Sequence, residues 1–129
     1  MPRELPKVWP IAAPLLQKAI DLDPAAITIE HVEYAVRTGR TNLLVWEEAD
    51  EGITGAVTVD FIDYPQERVA HVNLMGGKGI VRKHVFEEAM NWMRLNGATK
   101  AQCWANGSLV QMYEKMGMAT THQVMRIKL

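Results

Sequence analysis

The spacing of apolar positions changes along this chain from helical to alternating and back again. Ala12, Leu15, Leu16, Ala19 and Leu22 recur at helical spacing. Pro10 and Pro14 are expected in the entry turn of that helix, where a missing N–H is tolerated, and Asp23-Pro24 ends the pattern. Thr28 is placed to cap a second helix, in which Val32, Ala35 and Val36 share one face and Gly39 supplies the stop. Residues 43–46 then begin a strand, the acidic stretch 47–52 makes a turn, and Val57, Val59 and Phe61 alternate with Thr58 and Asp60 in a second strand. After Tyr64-Pro65 a third strand places Ala70, Val72 and Leu74 opposite His71 and Asn73. A helix from about residue 80 carries the apolar stripe Phe86, Ala89, Met90 and Met93 and stops at Asn96-Gly97. Residues 99–105 read as a strand, residues 106–118 as a helix closed by Gly117, and the alternation of 124–129 as a last strand.

Strand, helix and strand in succession favour a right-handed crossover between parallel neighbours. The expected architecture is therefore mixed α/β: about five strands, mostly antiparallel, with one parallel junction between the third and the fourth. A chain of 129 residues, 48% hydrophobic, suits one domain, residues 1–129, with a core of its own. A formal net charge of −1 provides no basic field for nucleic acid. The single cysteine excludes an internal disulfide and fits a reducing compartment. No apolar run approaches a membrane span and the first residues do not read as a signal peptide, so a soluble, cytoplasmic protein is expected, or one packaged within something made there.

The chemistry concentrates in the turn after the third strand, where Gly76, Gly77, Lys78 and Gly79 leave the backbone almost bare. Glycines ahead of a helix N-terminus form an anion cradle suited to a phosphate or diphosphate. A tight connection needs glycine equally, with or without a ligand. Beyond the cradle, Asn106, Tyr113 and Gly117 fall in register with an Asn-x-x-Ala-x-x-Leu-Tyr-x-x-x-Gly-Phe-like segment, and Lys78, Gly79 and Ile80 match the middle of a Gln/Arg-x-x-Gly-x-Gly/Ala turn. In these motifs, from about Ala70 to Met118, the chain resembles the GNAT superfamily of acyl-CoA-dependent N-acetyltransferases. Gly76 stands where that family has Gln or Arg, and Val81 where Gly or Ala is usual.

The resemblance implies a compact GNAT-like fold without a clear first strand or C-terminal hairpin, in which the two parallel strands splay apart around acetyl-CoA. It places the pantetheine arm along Leu74 and Met75, the diphosphate on Gly76, Gly77, Lys78, Gly79 and Ile80, and Asn106 beside the cofactor. The implied reaction is direct acetyl transfer to an amine whose identity is hidden. A backbone N–H near Met75 polarises the thioester carbonyl, Tyr113 returns a proton to the thiolate, and His71 serves as base, directly or through water. Each residue also has a plain structural reading: Tyr113 as a core tyrosine, Asn106 as a helix cap, His71 as a solvated histidine on an open sheet face.

A looser resemblance, carried by Val8-Trp9-Pro10-Ile11, Tyr64-Pro65 and Gly76-Gly77, is to GNAT-like proteins of bacteriophages and prophages. It sustains a rival in which the GNAT shape serves an interaction or virion-associated role without chemistry, and a homo-oligomer or a phage structural partner is compatible with either reading. Cys103 reads as a core residue, and His84 with Glu87 or Glu88 has helical spacing without a ligand set for a metal.

Overall fold

In the computed structural model, which describes residues 5–22, 27–77, 82–104, 107–123 and 125–129, the elements run α1 (Leu5–Leu22), α2 (Ile29–Arg37), β1 (Asn42–Glu48), β2 (Gly52–Asp63), β3 (Arg68–Gly77), α3 (Lys83–Leu95), β4 (Lys100–Cys103) and α4 (Gly107–Lys115). The strands form one sheet in the order β1-β2-β3-β4. Both β1–β2 and β2–β3 are antiparallel, and β3–β4 is parallel across the α3 crossover. The mixed sheet with its parallel junction between third and fourth strands is the one the sequence pattern predicts.

Alternation along the strands gives the sheet two apolar faces. On one, Ala56, Leu43, Val45 and Leu74 pack with Leu5, Ala12, Leu16 and Ile20 of α1 and Val32 and Val36 of α2. On the other, Val57, Val59 and Ala70 pack with Met93 and Met90 of α3. Thr28 caps α2 as expected, its hydroxyl accepting from the His31 N–H at 3.3 Å. Helix α1 differs from its expectation. It already begins at Leu5 and contains both Pro10 and Pro14. Leu5, Val8 and Trp9 extend the buried face of Ala12 and Leu16 toward the N-terminus, and this apolar burial carries the helix through two missing backbone donors, with both proline rings on its exposed side.

The C-terminal expectation fails. Among the described residues no strand follows α4. The alternating Met125, Ile127 and Leu129 are 90%, 84% and 111% exposed. Alternation supplies an apolar face, but a strand also needs an edge to pair with, and the described part of this tail has none. Among the described residues the sheet therefore has four strands rather than about five.

Candidate active site

Strand β3 is longer than its parallel neighbour. Val69, Ala70, His71 and Val72 pair with Lys100, Ala101, Gln102 and Cys103, and the pairing then ends although β3 continues to Gly77. Among the described residues no strand occupies the β4 side of residues 73–77. The cause lies one strand away. The β2–β3 register shifts between Thr58, opposite Leu74, and Val59, opposite Val72, leaving Asn73 as an extra, bulged residue that bends β3. Thr58 stabilises the bend: only 1% exposed, it accepts the Leu74 N–H at 3.2 Å through its hydroxyl. Since Leu74 directs its N–H toward β2, strand alternation turns the Met75 N–H to the open edge. Sequence reasoning singled out the backbone near Met75 but not the bulge or Thr58; the one available signal was a threonine inside a run of valines.

The first two glycines of the turn have packing reasons of their own. A Cβ on Gly76 would lie 2.0 Å from the Leu15 carbonyl oxygen of α1, so the helix backbone sits directly against β3. Gly77 has φ +108°, and a Cβ there would lie 2.2 Å from the Thr54 carbonyl oxygen. The remaining residues assigned to the phosphate turn, Lys78, Gly79 and Ile80, together with Val81 and Asn106, lie outside the described residues. On the far side of the turn Arg82 precedes α3 and pairs with Glu48 at 2.5 Å, tying the helix start to the end of β1.

Tyr113 of α4 closes the fork from beyond β4. It is 7% exposed, and its hydroxyl approaches the Met75 sulfur at 3.8 Å. Burial, aided by Cys103, pushes the phenol up to about 12. Burial also raises the Cys103 thiol, keeping it protonated and unreactive. Behind Met75 and Tyr113 a cavity of about 260 Å³ opens between the sheet and α3, lined by apolar side chains that include Trp46, Phe86 and Met90.

His71 sits on the other face of β3, in a row with Asp60 and Gln102 across three strands. It is buried, with the Trp104 ring edge-on at 5.4 Å, so it is no solvated histidine on an open face. Desolvation lowers its pKa from 6.5, against a smaller opposing pull from Asp60. The Gln102 side-chain amide donates to Nδ1 at 3.0 Å, which leaves the ring proton of the neutral form on Nε2. Asp60 Oδ1 is buried with no hydrogen-bond partner among the described residues. Tyr113 and Met75 are thus brought together at the fork, whereas His71 lies just before it on the opposite face.

No family model matches the sequence, and no curated protein does at a significant level. Solved structures do resemble it: one described as a probable acetyltransferase superposes with a TM-score of 0.71 at 16% identity, covering 95% of this chain and 91% of that one. The fold is that of the GNAT acetyltransferases. A predicted acetyltransferase from Clostridium acetobutylicum, solved with acetyl-CoA, superposes with a TM-score of 0.66 at 13% identity over 95% of this chain and 90% of that one. Glucosamine-6-phosphate N-acetyltransferase from Arabidopsis thaliana gives 0.58 at 18% identity over 81% and 80%. At such identities the likeness concerns the GNAT fold itself, and none of these three structures is described as a phage protein.

Proposed function

We propose that this chain is an acyl-CoA-dependent N-acyltransferase of the GNAT type, with the fork between β3 and β4 as its cofactor site. The observation that carries this reading is the fork: β4 pairing stops at Val72 while β3 runs on to Gly77, with a side-chain acid at the opening. A peptide-like arm can add to such an edge as a strand would, through backbone hydrogen bonds. The pantetheine chain has two amides and suits it. Coenzyme A would thus lie along Leu74 and Met75, with its diphosphate toward the turn that starts at Gly76 and Gly77.

When bound, the thioester supplies an activated acyl group and a thiolate leaving group. The Met75 N–H, turned to the open edge, would donate to the carbonyl oxygen as charge develops there. Tyr113 is a suitable acid, since a phenol raised to about 12 stays protonated at neutral pH and matches a basic leaving group. His71 is held neutral, the state required of a base toward an ammonium acceptor. Its Nδ1 lone pair is engaged by Gln102, but a half-turn of that side-chain amide would present an oxygen instead of an N–H, so Gln102 can partner both protonation states. Acid and polarising amide thus share the gap, whereas the base stands just before it on the opposite face of β3.

A thermal-shift titration with acetyl-CoA tests the reading. Binding at about 100 times the dissociation constant adds roughly 2.7 kcal/mol of stability, a readily measured rise in melting temperature. An unchanged melting temperature at millimolar acetyl-CoA would instead favour the rival, a GNAT-shaped interaction protein without a cofactor.

A further inference from the structure

The cavity behind the fork is larger than acetyl transfer requires. It begins where β3 and β4 part, at Val72, Met75, Cys103 and Tyr113, and extends beneath the sheet to Leu44 and Trp46 of β1. Since β1 and β3 are separated by one strand, it spans two inter-strand spacings, about 10 Å. Its walls are almost wholly apolar, and several are methionines, whose unbranched side chains adapt to an inserted chain. An acetyl methyl would fill little of it. An apolar cavity of roughly 150 Å³ accommodates the six carbons of benzene, so about 260 Å³ has room for a chain of about six to ten carbons.

We infer that this cavity receives the acyl chain of the donor, and that the preferred substrate is a medium-chain acyl-CoA rather than acetyl-CoA. The inference rests on the fork holding coenzyme A, because only then does the thioester lie at the cavity mouth, between Met75 and Tyr113. A chain attached to that carbonyl would enter between the sheet and α3, lying against Trp46, Phe86 and Met90. The polar Glu88 lies among the lining residues and is exposed, as expected at a rim. The alternative, an ordinary gap in the core, would leave no reason for the cavity to open at the fork.

The test is a series of dissociation constants for coenzyme A and its acetyl, butyryl, hexanoyl and octanoyl thioesters, measured by calorimetry on the full chain without any acceptor. Each methylene buried in the cavity should tighten binding about fourfold, so hexanoyl-CoA should bind on the order of 100-fold tighter than acetyl-CoA. Ala89→Phe, which fills the α3 wall of the cavity, should flatten the series. Coenzyme A and all thioesters binding equally well would overturn the acyl-chain site while leaving the fork assignment standing. Failure of coenzyme A and every thioester to bind would remove the fork assignment and this inference with it. Should Ala89→Phe fail to fold, the wild-type series alone decides.

Discussion

Replacing Gly76 with alanine separates the packing demand on the turn from any demand made by a ligand. Gly76 is not among the glycines with positive φ, so alanine there meets no conformational penalty. In open space such a change would stabilise the protein by about 0.4–1 kcal/mol, through reduced freedom of the unfolded chain. The contact reverses the sign. The new Cβ would lie 2.0 Å from the Leu15 carbonyl oxygen, whereas ordinary contact begins at 3.4 Å, so α1 and β3 must separate by about 1.4 Å (3.4 − 2.0). Moving α1 loosens Ala12 and Leu16, both fully buried in the core that joins the helix pair to the sheet. Overpacking of this kind costs about 1–3 kcal/mol, and a backbone obstacle on a core helix puts the expectation near the upper end, about 2–3 kcal/mol. For a chain of 129 residues each kcal/mol corresponds to about 4 °C, so the melting temperature should fall by about 8–12 °C. Differential scanning calorimetry on the ligand-free protein measures it. An unchanged or raised melting temperature would refute the close approach of α1 to β3 and return Gly76 to a purely ligand-binding explanation.

Three further outcomes follow from the site. Thr58→Val keeps the shape of the side chain but leaves the Leu74 N–H without its acceptor, so stability should fall by about 1–3 kcal/mol, while Thr58→Ser retains most of it; equal melting temperatures for Val and wild type would exclude a structural role for the hydroxyl. Because the folded-state pKa of His71 is depressed below 6.5, the unfolded chain binds more protons on acidification, and stability should decline as pH falls through and below 6.5. Melting curves of His71→Gln should lose that part of the acid slope, and identical slopes would contradict a buried neutral histidine. Tyr113→Phe should bind coenzyme A within about twofold of wild type yet lose about 100-fold in coenzyme A release with a reactive amine, the usual contribution of a general acid; undiminished turnover would leave Tyr113 as a packing residue only.

What the sequence made legible depended on the range of the physics involved. The Thr28 cap, the stop at Gly39 and the order of strands are local or periodic features, and all are present in the structure. The parallel junction follows from chain connectivity, and a fork between the third and fourth strands is what the resemblance to GNAT proteins implies. Its mechanism was not legible. The bulge at Asn73 depends on how Val59 and Thr58 register against β3, and register is a property of two strands, not one. Thr58 reads as the polar half of an alternation, yet it is buried with its hydroxyl spent on a backbone amide. His71 reads as solvated for the same reason: its burial comes from Trp104 and the neighbouring strands, which no single-strand pattern reveals. The prolines of α1 misled in the other direction, because local propensity yields when a long apolar face is buried. Gly76 shows both readings at once: a turn glycine in the sequence, and in the structure the point where a helix backbone touches the sheet.

The claim on which the account rests is that the free edge of β3 beyond Val72 receives the pantetheine arm. Amide hydrogen exchange resolved at residues 73–77, with and without coenzyme A, tests it most directly. The Met75 amide should exchange rapidly in the free protein, where it faces an open edge, and slow by at least tenfold when coenzyme A is bound, while the Leu74 amide, already held by Thr58, changes little. If coenzyme A binds and the Met75 amide exchanges as fast as before, the cofactor lies elsewhere and the fork is not its site.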